Sequence, residues 1–346
     1  MMSLNDAIND NDILQVKLLL ADGTYMDNLD NSRMTPFNDA CCYGYIDIVK
    51  LLLEDARIDV TKANKYGYTS FNSACCFGQI NIVKLLLEDE RIDITKADND
   101  GWTPFNSACL EGHINIVKLL LEDGRIDVTK ADIYGRTPFN QACNNGHIDI
   151  VKLLLEDERI DVTKEDKIGR TPFFAACENE YSEIIELLLN DDRIDITKAD
   201  KNGQTPFYMA CENRYSKIFE LLLNDDRIDI TKADKDGKTP FMIACHSKDI
   251  STMKILLKDD RIDINISDNE GMTALHWACR YEQNNAVELL LKDKRIDATK
   301  IDNCGMTPFK FACKCHVVGI AEMLLEYEKE NIGYNEENVE LYNKIK

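Results

Sequence analysis

Between Asp98 and Ala131 the chain reads DNDGWTPFNSACLEGHINIVKLLLEDGRIDVTKA, and its apolar residues fall into two helical stripes. Phe105, Ala108 and Cys109 recur at i, i+3 and i+4, one face of a short helix. Thr103 stands at the N-cap of that helix and Pro104 at its first position, where a missing N–H costs nothing. Gly112 supplies the left-handed residue that ends it. A second helix, roughly Ile114 to Glu122, is apolar nearly all round, so it has to pack between neighbours. Before the first helix, Asp98-Asn99-Asp100-Gly101 puts Asp at the first and Gly at the fourth position of a tight turn. After the second, Ile126 and Val128 alternate as strand residues do. The pattern predicts turn, helix, helix and extended finger.

The whole pattern then returns. Thr35, Thr69, Thr103, Thr137, Thr171, Thr205, Thr239, Thr273 and Thr307 are each 34 residues apart. A fixed period of this size means stacked supersecondary units, each too small to bury its own apolar face. The expected architecture is an all-α solenoid of helix-turn-helix units with extended finger loops, forming one elongated domain. Residues 1–34 read as a degenerate capping repeat and its connector, 35–326 as nine repeats, and 327–346 as an acidic tail. The units at Thr171 and Thr205 carry Glu180-Tyr181-Ser182 and Arg214-Tyr215-Ser216 in place of Gly-His-Ile, so their first helices are expected to end differently. In the tail, Asn335-Glu336-Glu337 predicts the start of a short helix with Val339, Tyr342 and Ile345 on one side. It reads as a lid over the last unit, with a partner-docking peptide as the alternative.

TPFNSA followed by GHINIVKLLL resembles the ankyrin repeat, whose signature is T-P-L-H-x-A in a unit of about 33 residues. Two departures stand out. Glu-Asp-x-Arg-Ile-Asp lengthens the loop after the second helix by one residue, and the signature histidine occurs only as His276. Its place is otherwise held by Asn38, Asn72, Asn106, Asn140, Phe174, Tyr208, Met242 and Lys310. In the family this histidine bonds backbone between turns; Asn can make part of those bonds, Phe and Met cannot. The resemblance also implies that the turn tips and first-helix ends line a concave face used for partner proteins. It further implies that an Asn after Asp-Ile or Asp-Val is open to asparaginyl hydroxylation, a pattern matched by Asn265.

The formal net charge of −21 changes the picture of partners. It opposes a phosphate backbone or an anionic membrane and leaves protein partners, basic ones included. Thirteen cysteines suggest disulfides, but nine of them, Cys41 to Cys313 at intervals of 34, share one repeat position. Stacked neighbours about 10 Å apart exceed the roughly 7 Å limit of a bridge, so these nine read as a ladder of small hydrophobes in a reducing compartment. MMSLNDAINDND is acidic without an apolar core, which speaks against a signal peptide, and no apolar run approaches a membrane span. A cytoplasmic or nuclear monomer is expected.

No phosphate loop, nucleophile elbow or zinc-protease motif is present. The best metal candidate, Cys313-Lys314-Cys315-His316 with Cys304, fails because Cys313 belongs to the ladder. His113 and His147 read as structural. Neither catalysis nor a metal or cofactor is expected.

What varies over the constant frame is the surface. Met34, Tyr43, Tyr66, Tyr68, Phe77, Trp102, Leu110 and Tyr134 make the early turn tips and first-helix ends apolar, whereas the same places later hold Arg170, Glu178, Lys201, Glu212 and Lys238. Large aromatics anchor protein interfaces. The expected function is a non-catalytic scaffold that holds a partner protein on the concave face of the N-terminal half. The alternatives are an adaptor of ubiquitin-ligase or effector type that recruits through the tail, and a passive spacer.

Overall fold

The structure is a computed structural model that describes residues 3–23, 34–213, 216–247, 250–333 and 335–346. It forms two compact units, Met1–Ile184 and Ile185–Lys346. The described residues are helical, and an isolated bridge between Ser267 and Thr273 stands in for any strand among them.

The first unit contains α1 (Leu4–Asn9) with α2 (Ile13–Asp22), α3 (Pro36–Tyr43) with α4 (Ile46–Glu54), α5 (Ser70–Cys76) with α6 (Ile80–Leu87), α7 (Pro104–Leu110) with α8 (Ile114–Leu121), α9 (Pro138–Asn144) with α10 (Ile148–Leu155), and α11 (Pro172–Glu178). The division falls inside α12 (Ser182–Leu189). The second unit holds α13 (Pro206–Asn213) with α14 (Ser216–Leu223), α15 (Pro240–His246) with α16 (Ile250–Leu256), α17 (Ala274–Arg280) with α18 (Asn284–Leu291), α19 (Pro308–Lys314) with α20 (Val318–Asn331), and α21 (Glu336–Ile345). Within each unit, first helix stacks on first helix and leans on its own second helix.

The first helix of a repeat starts at its cap, whereas second helices such as α4, α6, α8 and α10 begin without a side-chain cap. Thr35, Thr69, Thr103 and Thr137 take extended backbone, and their hydroxyls accept the third amide of the helix at 3.1 Å. Proline takes the first position wherever the sequence supplies it, as at Pro104. The core between helices is periodic. Phe37, Phe71, Phe105, Phe139 and Phe173 are fully buried, as are Ala and Cys one turn on and the Ile-Val-Leu face of each second helix. All nine in-phase cysteines are buried, while Cys304 and Cys315 are exposed.

The finger is made of turns. Asp89 Oδ1 accepts the Arg91 amide at 3.0 Å, and Asp93 Oδ1 accepts the Thr95 amide and hydroxyl at 2.9 and 2.8 Å. Ile92 and Ile94 still alternate inward and are buried. The extra residue in the loop carries Arg91 to the carbonyl of Leu53 in the preceding repeat, at 3.0 Å.

The expectation of a different helix ending is corrected. Glu180 takes the left-handed conformation (φ 63°) that Gly44, Gly78, Gly112 and Gly146 take elsewhere, and Glu282 (φ 55°) and His316 (φ 59°) do the same in later repeats. The geometry of the turn into the second helix is imposed by stacking, so a side chain accepts a strained φ rather than altering it. The corresponding ends at Arg214 and Lys248 lie outside the described residues.

The tail helix α21 packs on α19 and α20. Its Asn338 and Tyr342 are buried, and Asn338 Nδ2 donates to the buried Glu328 carboxylate at 2.6 Å.

Candidate functional site

The turn tips are rigid platforms. Asp98 Oδ1 accepts the amides of Asp100 and Trp102 at 2.9 and 2.8 Å, which holds residue 102 out at the tip just before the Thr103 cap. Successive tips are linked by backbone: the Asn99 amide donates to the Tyr66 carbonyl and the Ile133 amide to that of Asp100, both at 3.0 Å. The Asn38 side chain bonds the Tyr68 carbonyl at 2.9 Å, the partial replacement for histidine that its chemistry allows. His276 itself accepts the Thr273 amide on Nδ1 at 3.2 Å, so its Nε2 hydrogen points to the Met306 carbonyl 3.0 Å away; burial lowers its pKa and keeps this tautomer neutral. His113 and His147 bond the carbonyls of Cys76 and Leu110 at 2.8 and 2.6 Å, and are structural staples between second helices and the first helices before them.

On these platforms the eight residues singled out in the sequence divide. Tyr43, Tyr66, Phe77 and Tyr134 stand out from the surface, with 52, 43, 52 and 52% of their area exposed. Tyr43 stacks on Tyr45, and the Lys65 ammonium lies 5.1 Å from the Tyr66 ring. Met34, Tyr68, Trp102 and Leu110 are partly buried. The Met34 sulfur accepts the Asn64 amide group. Burial first and Asp98 second push the Tyr68 pKa up to about 12. Trp102 and Tyr134 are brought together by a residue that sequence reasoning overlooked. The Arg136 guanidinium lies 5.1 Å from the Trp102 ring and 4.8 Å from the Tyr134 ring, tied to the buried Asp132 carboxylate at 2.7 Å. Arg136 occupies the same repeat position as Trp102, which was the available signal.

A second aromatic group was also missed. Trp277 and Tyr281 stack in the second unit with ring centroids 5.6 Å apart, and His246 tilts onto Tyr281 at 4.6 Å. Tyr281 shares the repeat position of Tyr43 and Phe77 and was legible on that ground alone.

The metal candidate does not assemble. Cys313 is buried while Cys315 and His316 are exposed, and no group of three or more metal-binding side chains occurs among the described residues. No described helix is long and apolar enough to cross a membrane. The Asn265 side chain is engaged at both ends, donating to the Arg295 carbonyl at 2.7 Å and accepting the Asp297 amide at 2.8 Å.

Comparison with known proteins agrees with the geometry. The chain is matched over residues 4–98, 90–166, 158–234 and 227–302 by the family described as "Ankyrin repeats (3 copies)". No curated protein matches it. Ankyrin repeats are generally protein–protein interaction modules and typically non-catalytic. With nearly all of its repeats matched, and with each built as a capped helix pair joined by tight turns, the chain belongs to the ankyrin-repeat family.

Proposed function

We propose that this chain is a non-catalytic scaffold that holds a partner protein on the turn tips and first-helix ends of its N-terminal unit. The observation that carries the reading is the exposure of Tyr43, Tyr66, Phe77 and Tyr134 beside a frame whose phenylalanines are fully buried. Exposed aromatics on rigid backbone lose little entropy when a partner covers them, which is why such residues dominate interface energetics. Tyr68 and Trp102, partly buried, add the rest of their rings to the same tips. Recruitment through the tail is the weaker reading, because Asn338 and Tyr342 of α21 are buried against the last repeat.

The test uses the protein that co-purifies with the full chain from its native cell. Phe77→Ala combined with Tyr134→Ala should weaken that complex by at least about 2 kcal/mol, roughly thirty-fold in Kd, with helix content and melting unchanged. Retention of the partner by the double variant, or its loss on deletion of residues 335–346 instead, would overturn the proposal.

A further inference from the structure

In the second unit, α13, α15 and α17 together with the tips around Asn202 and Asp236 enclose a cleft of about 530 Å³. One wall is aromatic. Trp277 and Tyr281 stack at an interplanar angle of 13°, and the Trp277 Nε1–H donates to Asp268 at 2.7 Å, which fixes the ring. Tyr281 keeps 42% of its surface exposed. The lining also includes the Tyr208 ring, whose hydroxyl donates to Asp234 at 3.1 Å, and the Glu212 and Asp236 side chains.

The chain already shows what such a wall attracts. Lys238 sits 5.1 Å from the Trp277 ring with its ammonium 3.1 Å from Asp236, and Arg280 lies 5.6 Å from the same ring. In the first unit Arg136 is seated between Trp102 and Tyr134 against Asp132. An anion in this cleft would meet Glu212, Asp234 and Asp236 against Lys235 and Lys238, within a chain of net charge −21. A cation meets aromatic faces and carboxylates together. A guanidinium suits the place better than an ammonium, because it is planar, weakly hydrated, stacks on rings and takes a carboxylate by two hydrogen bonds.

We infer that this cleft receives an arginine side chain from a basic segment of a partner protein, stacked against Tyr281 and held at its edge by Glu212 and Asp236. The inference concerns the C-terminal unit and does not depend on the aromatic surface of the N-terminal one.

Trp102→Phe leaves Trp277 as the sole tryptophan, so emission from the full-length variant reports on the cleft. The probe is the acetylated, amidated tripeptide Gly-Arg-Gly, compared with its glutamate and lysine counterparts and with inorganic phosphate. The expected result is a saturable change with the arginine peptide, weakened about five-fold or more by Tyr281→Ala and by the isosteric pair Glu212→Gln and Asp236→Asn, with the far-UV circular dichroism of each variant unchanged. The isosteric pair keeps the test decisive should Tyr281→Ala unfold. An equal response to phosphate or to the glutamate peptide would overturn the inference, and so would an arginine response indifferent to both substitutions. A lysine peptide that binds as well as arginine would overturn the choice of guanidinium.

Discussion

Arg91 reaches back 38 residues to donate from Nη2 to the main-chain carbonyl of Leu53 at 3.0 Å, while Asp89 grips the same guanidinium at 2.5 Å. The relationship recurs at Arg57 with Leu20, Arg125 with Leu87 and Arg159 with Leu121 in the first unit, and at Arg227 with Leu189 and Arg295 with Leu257 in the second. The one-residue lengthening of the repeat thus delivers a cation to the carbonyl end of the preceding second helix, where unpaired acceptors and the helix dipole favour it.

Arg91→Ala should cost about 1 kcal/mol in urea unfolding, because the guanidinium is 46% exposed and water screens what it loses. Arg91→Lys should recover little of that, since an ammonium cannot hold Asp89 with two nitrogens and still reach Leu53. Leu120→Ala, at a fully buried position, should cost about 2–5 kcal/mol. Equal losses from Arg91→Ala and Leu120→Ala would show the staple to be as integral as the core.

Glu180→Gly should stabilise the chain by about 1 kcal/mol, the penalty a side chain incurs at φ 63°. Gly112→Ala should do the reverse and by more, since a Cβ there meets the His147 ring at 2.6 Å in addition to the left-handed backbone. Calorimetric midpoints of the two variants settle the matter, and a destabilised Glu180→Gly would mean that the Glu180 side chain contributes more than its backbone strain removes.

Thiol alkylation of the native protein should label Cys304 and Cys315 first, Cys42 and Cys76 slowly, and the nine in-phase cysteines last. Burial is the leading cause for the intermediate pair, pushing each thiol up to about 11, so little thiolate exists at neutral pH. Fast labelling of Cys109 or Cys143, timed by peptide mass, would contradict the buried ladder.

Acid should act with opposite signs at the fingers and at the tail. Hydrogen bonds from Arg91, Arg125 and Arg159 hold the carboxylates of Asp89, Asp123 and Asp157 below their ordinary range. Their contribution is therefore present above the unfolded value of about 3.9 and lost as pH falls through the lower folded value. Burial raises Glu328, so its contribution is present below about 4.3 and lost as pH rises through the raised folded value. Hydrogen exchange corrected for intrinsic rate should find α21 better protected near about pH 5 than near about pH 7, and the finger amides losing protection below about pH 4. An α21 protection that is flat across this range would count against the buried Glu328.

The repeated local chemistry was readable in the sequence because it is local. The Thr103 cap, Pro104 and the Phe105, Ala108 and Cys109 face each depend on residues within one turn of one another. The left-handed Glu180 was not readable, because the stacked neighbours that dictate its φ outweigh its own preference for another conformation. At the surface, the exposure of Tyr43 and Phe77 followed from repeat position, whereas the seating of Arg136 between Trp102 and Tyr134 depends on how two successive tips meet in space. The cleft beside the Trp277 and Tyr281 stack is built from three repeats, those at Thr205, Thr239 and Thr273, and no single repeat shows it.

The bonds that join successive repeats end mostly on main-chain carbonyls: Leu53 for Arg91, Cys76 for His113, Tyr66 for the Asn99 amide and Tyr68 for Asn38. A carbonyl is the same group whatever side chain accompanies it. On the accepting side, each repeat is therefore held by backbone position rather than by residue identity, and that half of the joint is indifferent to the side chains on the surface beside it. The tip position can carry Tyr68, Trp102 or Arg136 on the same backbone joint, and only where two tip side chains meet, as Arg136 meets Trp102, does the choice at one tip bear on the next. The array is in this sense a rack with standard fittings, on which a new binding face is assembled by changing what hangs from it.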